Sequence, residues 1–534
     1  MNLGSPISAR DGDPSQLSLG TRATLAFDRF WVRRYLPIVT AMLVAIVAGI
    51  VIGITMPRGP VDSVDGLILL FGSIVAGFAA GFAFRSQWAA LLAPMLTLVT
   101  FEIIRRNESG PSVDGIRLDT MFGIIGLVVG RGIFVLVSLF PMAIAAIYGV
   151  WAARAVMLGG RATPSTRRWR RWGSRVLLGT ATLAVLGLAV LLARPASVPA
   201  VTDANGQPID GSIAEITPIQ LGGYEQWIEI RWASPDNPVI LYLNGGPGQS
   251  DLALSRALLE PLHQDFTVVG WDQRGAGKSY ASLDAETLTL ESIVNDTIDL
   301  TNYLRDRFGQ EKIFLLTESW GSVPGILAVQ QQPELYYAYL GSGQMVNPQL
   351  TDQRIYDDLL AYADANKESG MAAKLRENGP PPYDDIWANA YMVQNYSLIE
   401  DDYDPPQAYI DRGEESGVGF WGIMGSEYTL IDKANVIRGL LDMAAVMYPQ
   451  IQDIDFRTQA TVLEVPVYIF DGEHELSGRR ALAHEWFAML DAPIKHMYTF
   501  ENAGHAAAFE YADELHRILT EEVVPQSTGV QGLN

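Results

Sequence analysis

The sequence contains no cysteine, and its first 199 residues contain no lysine. The first absence excludes disulfides, thiol catalysis and cysteine-bound metals. It leaves the redox compartment open, because a cysteine-free chain suits either side of a membrane. Histidine is scarce as well. His263, His474, His484, His496, His505 and His516 are the only six, so any histidine-dependent chemistry draws on a short list. The missing lysine marks a division of the chain. Residues 1–199 carry 19 arginines against 9 acidic groups, whereas residues 200–534 carry 19 basic and 51 acidic groups, within an overall net charge of -22. An acidic second part argues against nucleic-acid binding, which depends on clustered positive charge. A length of 534 residues exceeds one ordinary core.

What the first part does have is long apolar runs. A helix needs roughly 20 residues to cross about 30 Å of hydrocarbon. Tyr35–Met56, Gly66–Phe84, the rather short Trp88–Ile104, the long Met121–Val156 and Val176–Leu192 meet or approach that length. Met121–Val156 reads as one span with an extra turn or bend, so the region 35–193 is expected to be an all-α transmembrane bundle of about five helices. Arginine distribution sets the orientation. The tail 1–34 and the seven-arginine loop between Arg154 and Arg175 are expected in the cytoplasm, which places everything after Arg194 outside the cell. Arg105, Arg106 and Arg117 resist this arrangement, because it puts their loop outside. Arg131, among apolar residues, is read equally as a functional charge or as an interfacial one.

After a polar linker, 194–212, the periodicity changes. Short β-rich runs such as "PVILYLN", "FTVVGWD", "KIFLLT" and "VPVYIFDG" alternate with helical stretches. That alternation predicts an α/β domain over 213–534 with a mostly parallel sheet. The acidic, helical stretch at about 349–460 reads as a cap inserted over the sheet's active edge.

Chemistry-bearing residues lie far apart in this domain. In "LLTESWGS", Ser319 follows an apolar strand and precedes a helix, as a nucleophile elbow requires. A serine before a helix is also an ordinary N-cap. Gly321 keeps the rear of the turn small, and Thr317 stands where the motif has glycine. "NGGPG", Asn244 to Gly248, follows another apolar strand. Its glycines allow Gly245 or Gly246 to turn an N–H toward an oxyanion, with the N–H of Trp320 as second donor. His505 lies in a loop between the last strand and a helix, where the base of such a site belongs. Asp471, Glu473 and Glu475 compete for the acid. Glu475 is preferred, with Asp471, at the strand's end, as the alternative.

Together these pieces resemble the proline iminopeptidase-like branch of the α/β hydrolases. That family shows H-G-G-P-G, D-Q-R-G-x-G-x-S and G-x-S-W-G. This chain has "NGGPG" at 244–248, "DQRGAGKS" at 272–279 and "TESWG" at 317–321. The resemblance runs from about Ile213 to the C-terminus and covers none of the apolar region. It implies an α/β-hydrolase fold with a helical cap, and metal-free, cofactor-free hydrolysis through an acyl-enzyme. Ser319 would attack, His505 would shuttle the proton and Glu475 would support it. Asn244, Pro247 and Gly248, with Asp272, Gln273, Arg274 and Gly275, would buttress the oxyanion loop. The family holds a substrate's free amino terminus with acidic cap residues, which makes Glu414, Glu415 and Glu427 candidates here. Asn244 and Thr317 depart from the family's histidine and glycine.

The expected protein is therefore a membrane-tethered serine hydrolase, an aminopeptidase for peptides. Its partners are a peptide or small-molecule substrate and the lipid bilayer, with no nucleic acid; the oligomeric state is not set by the sequence. An esterase or amidase for small or lipid-like substrates, and a silent hydrolase fold used for binding or sensing, are the competing expectations.

Overall fold

The computed structural model describes residues 35–113, 116–158, 168–203 and 205–529. The arginine-bearing tail 1–34 and most of the Arg154–Arg175 loop lie outside them or without described side chains.

The chain divides into two compact units. The first contains α1 (Leu36–Thr55), α3 (Ala89–Ile104) and most of α2 (Ser63–Phe84), of a long helical run and of α6 (Arg168–Ala193). In that run α4 (Met121–Leu127) passes through two π-helical turns into α5 (Phe140–Leu158). Four helical stretches among the described residues are long and apolar enough to cross a membrane, and Ala89–Ile104 is a shorter apolar one. Met121–Val156 is a single uninterrupted 36-residue helix. The unit is packed with small residues inside and large apolar ones outside. On α1, Ala41, Ala45, Gly49 and Gly53 are buried at four-residue spacing, while Met42, Leu43, Val47 and Val51 are exposed. A Cβ on Gly77 or Gly81 would come within 2.2 or 2.0 Å of the Met142 or Ala146 carbonyl oxygen. Backbones approach this closely where packing replaces hydrophobic burial as the driving force.

The second unit is built on one eight-stranded sheet of order β1-β2-β4-β3-β5-β6-β7-β8. β1 (Ile213–Leu221) and β2 (Tyr224–Trp232) form an antiparallel hairpin, closed by Gly222 and Gly223 at φ +54° and +84°. Two positive φ values define the turn whose twist matches the strands, and glycine adopts them without a Cβ penalty. β2 pairs antiparallel with β4 (Thr267–Asp272). β3 (Val239–Leu243), β5 (Ile313–Glu318), β6 (Tyr336–Ser342), β7 (Val467–Gly472) and β8 (Lys495–Phe500) continue in parallel. Every residue of β3, β4 and β5 is buried. A parallel sheet covered on both faces selects such continuous apolar runs. Alternate residues feed different cores. Leu241, Leu243 and Leu315 pack with α7 (Leu290–Phe308) and α8 (Ser322–Gln331), while Ile240, Tyr242, Phe314 and Leu316 pack with the C-terminal helices.

The chain between β6 and β7 is a helical insertion that includes α9 (Pro348–Ala365) and α10 (Leu430–Met447). After β7 comes α11 (Ser477–Met489).

Two connecting segments from the N-terminal part, Arg58–Gly66 and Glu108–Ile133, belong to this second unit. They fasten to α10. Arg438 donates to the carbonyls of Arg58 and of Pro60 (2.9 Å), and Asn435 donates to that of Val61 (2.7 Å). Buried Asp442 accepts from the Ser112 backbone N–H (2.8 Å), the Ser112 hydroxyl, the Tyr280 hydroxyl (2.7 Å) and Arg58 (3.4 Å). Arg117 pairs with Asp385 at 2.9 Å. Arg105 pairs with Glu102 at 2.8 Å. Two of the arginines that resisted the charge-based arrangement are thus matched to acids. Arg131 lies in a π-helical turn, and its Nη2 donates to the Val113 carbonyl at 3.0 Å.

Candidate active site

β5 ends at Glu318, and Ser319 turns the chain into α8 with φ +51°. A non-glycine residue in this left-handed region is strained and persists where the surroundings enforce it. The elbow is pressed against the end of β3: a Cβ on Gly321 would lie 2.3 Å from the Leu243 carbonyl oxygen. Thr317 is fully buried. Its hydroxyl shares a 2.9 Å hydrogen bond with Tyr339, and its Cγ2 fills the space beside Gly325 of α8, where a Cβ would come within 2.6 Å. The glycine missing from the strand side of the elbow is therefore answered by one on the helix side.

The other motifs converge on this turn. Gly245 lies next to Ser319, with its missing Cβ 3.5 Å from Ser319 Cβ. The Gly246–Pro247 bond is cis, and Asn244 donates to the Gln249 carbonyl within the loop. Gln273 accepts from the Trp320 indole at 3.0 Å, so the "DQRG" segment supports the elbow directly. Arg274 is bidentate on Asp296 of α7 at 2.7–2.8 Å and stacks on Tyr224. Buried Asp272 accepts from the Lys278 backbone N–H at 2.8 Å, and burial pushes its carboxyl up to about 8. Gly275 is at φ +86°. Gly439 of α10 brings the insertion against both loops. A Cβ there would lie 2.6 Å from the Gly275 carbonyl oxygen, and one on Gly248 would lie 2.4 Å from that of Gly439.

His505 follows β8 and is hydrogen-bonded through Nδ1 to Glu475 Oε2. The other Glu475 oxygen accepts from the Leu476 N–H (2.7 Å) and from Arg479 (2.9 Å). Burial alone would raise the Glu475 carboxyl, but Arg479 and His505 reverse this and hold it down to about 2. Asp471, the alternative acid, is committed elsewhere: Arg480, His484 and Thr499 all contact its Oδ2 at 3.0 Å. Glu473 is exposed.

The structure also places groups that the sequence reading did not single out. Arg479 is one; its four-residue spacing from Glu475 at a helix start is a recognisable ion-pair signal. Glu510 is another, accepting from the Gly504 N–H (3.1 Å) and Tyr403 (3.1 Å). The third is Glu318, whose Oε1 lies 3.7 Å from His505 Nε2. The sequence carried no signal for it beyond its seat beside Ser319.

The insertion acids are placed differently from the expectation. Glu427 is completely buried and bonded to Arg256, which takes it up in an internal ion pair. Glu414 and Glu415 are exposed on the helix Gln407–Ser416, and Glu415 lines a separate cavity with Arg231, Arg256 and His263. Among the described residues no contact joins the three to His505, Glu475 or Glu318.

A strand–elbow–helix turn, a glycine loop beside it and a histidine–carboxylate pair after the last strands are the arrangement of the α/β-hydrolase fold. The α/β hydrolase fold family matches over residues 238–350, which hold all three glycine-bearing motifs. The chain is 29% identical over 306 residues to the probable aminopeptidase YbaC of Bacillus subtilis (strain 168), covering 57% of this chain and 94% of that protein. It is 32% identical over 118 residues to the proline iminopeptidase of Neisseria gonorrhoeae, 21% of this chain and 36% of the relative. A solved proline iminopeptidase-related protein from Thermus thermophilus is similar at 22% identity and a TM-score of 0.42, over 59% of this chain and 99% of that one.

Proposed function

We propose that this protein is a membrane-tethered serine hydrolase that removes N-terminal residues from peptides. The observation that carries the reading is the left-handed Ser319 at the end of β5, with the His505–Glu475 pair assembled from the ends of β7 and β8. Ser319 attacks the scissile carbonyl while His505 takes its proton and later returns it to the leaving amine. Glu475, ionised and held by Arg479, fixes the imidazole and balances the imidazolium. The N–H groups of Trp320 and of Gly245 or Gly246 receive the oxyanion. Water then hydrolyses the acyl-enzyme by the same path. The names of the relatives favour the aminopeptidase over the esterase reading.

The apolar helices would hold the enzyme in a bilayer. The links that precede α2 and α4 lie in segments Arg58–Gly66 and Glu108–Ile133 of the hydrolase unit, which supports placing both links on its side of the membrane. With the arginine-rich segments in the cytoplasm, that side is extracytoplasmic.

A fluorophosphonate probe tests the nucleophile. Wild type is expected to label and Ser319→Ala to remain unlabelled; equal labelling of both removes Ser319 from the role. Proline and alanine arylamides are expected to be cleaved, and exclusive cleavage of short acyl esters would reject the peptidase reading. Added protease should reach the hydrolase unit on intact cells. Protection until lysis would overturn the topology.

A further inference from the structure

Glu318 is a carboxyl group at the reacting centre for which the mechanism above has no use. It is the residue before the nucleophile, and it is 6% exposed. Oε1 lies 3.7 Å from the histidine nitrogen that must take the serine proton. Oε2 is buried and has no hydrogen-bond partner among the described residues. Its surroundings are His505, the Ser342 hydroxyl, Glu475, Asp251, Tyr242 and Tyr409. His505 is the one basic side chain in that set, and it is already held by Glu475 through its other nitrogen. A buried carboxyl with an unused oxygen is costly unless a cation or donor completes it. Burial pushes this one up to about 7, against the opposing pull of His505 and Ser342.

A substrate can supply the missing partner. In an amino-terminal residue the nitrogen is separated from the attacked carbonyl carbon by the α-carbon alone. When that carbon sits over Ser319, the ammonium must fall within the immediate surroundings of the elbow. Glu318 is fixed there by its peptide bond to Ser319. Glu427 is already paired with Arg256, and Glu414 and Glu415 face solvent. We propose that Glu318 binds the free α-ammonium group of the substrate. An occupied Glu318 also has its charge matched by the substrate, which leaves His505 Nε2 to the serine. The recognition of a free amino terminus is thereby built into the elbow rather than the insertion. The inference rests on the aminopeptidase reading.

The test compares prolyl 4-nitroanilide with cyclopentanecarbonyl 4-nitroanilide, which has carbon in place of the ring nitrogen. Wild type is expected to prefer the prolyl compound. In Glu318→Gln the ratio of the two kcat/KM values is expected to fall at least roughly tenfold, the size of one charge-assisted hydrogen bond, mainly through KM for the prolyl substrate. Glu318→Asp should recover part of that ratio. Fluorophosphonate labelling of each variant verifies that the site is assembled. A ratio that stays at the wild-type value in Glu318→Gln, with both substrates slowed alike, overturns the inference and leaves the aminopeptidase reading intact. A wild type that cleaves only the uncharged substrate overturns that reading, and this inference with it.

Discussion

Thr317 occupies the position where a nucleophile elbow ordinarily has glycine, and the structure shows the compensation in atomic terms. Its methyl rests in the gap left by Gly325, and its hydroxyl is satisfied by Tyr339. Gly325→Ala should therefore destabilise the protein by about 1–3 kcal/mol through overpacking. Thr317→Ser, which removes the methyl and keeps the hydroxyl, should recover part of that loss when combined with it. Thermal unfolding of the two single variants and the double variant measures the coupling; strictly additive effects would show that the two residues do not share the space. The Glu475 carboxyl makes a separate prediction. Its folded-state value of about 2 lies below the ordinary 4.5. The ionised carboxylate therefore contributes stability that is fully present above about pH 4.5 and is lost as the pH falls through about 2. Arg479→Gln removes the larger of the two charges that hold it down. Acid unfolding, followed by tryptophan fluorescence, should begin at higher pH in that variant, and an unchanged midpoint would refute the assignment.

Among the elements, α10 has the most varied duties. One side carries Gly439, which admits the backbones of the "NGGPG" and "DQRGAGKS" loops. The same helix presents Arg438 and Asp442, each about 1% exposed, to Arg58, Pro60 and Ser112 of the connecting segments. Tyr280 links the two functions, since it directly follows the second motif and donates to Asp442. Asp442→Ala leaves the Ser112 N–H and the Tyr280 hydroxyl without this acceptor and removes the acid paired with Arg58, which keeps the Ser109 carbonyl. Leaving a buried donor without its acceptor costs about 1–3 kcal/mol. That variant should show a lower unfolding temperature together with slower fluorophosphonate labelling, because the helix that loosens also braces the "NGGPG" loop beside Ser319. Wild-type labelling in a destabilised Asp442→Ala would separate the two roles.

At the scale of the whole molecule, the boundary between the two compact units does not coincide with the change in composition. Segments 58–66 and 108–133 come from the arginine-rich, apolar part of the chain and fold with the acidic part. Their arginines meet its acids, as Arg58 meets Asp442 and Arg117 meets Asp385. A fragment beginning at Arg194 lacks these partners and exposes the buried face of α10. Such a fragment is expected to be cut by protease within α10 at a rate at least tenfold above that in the full chain, a change that a loss of about 1.4 kcal/mol or more produces. Equal resistance would show that the connecting segments add nothing to the hydrolase unit.

The sequence by itself determined the class of fold and the order of the site. Runs such as "VILYL" and "IFLL" are apolar without alternation because a parallel sheet buries both faces, and that requirement is written locally. The elbow, the glycine loop and "DQRGAGKS" are legible for the same reason: each is a short backbone conformation with its own residue demands. What the tertiary structure decided is every relation between distant side chains. Three acids stood near the end of β7, and only the folded chain shows that Glu475 meets His505 while Asp471 turns to Arg480, His484 and Thr499. Acids abounded in the insertion, and only the folded chain shows that Glu427 is paired with Arg256 while Glu318 lies beside His505. Periodicity and turn chemistry act over a few residues. Pairing and desolvation depend on neighbours hundreds of residues away, and those neighbours exist only once the chain has packed.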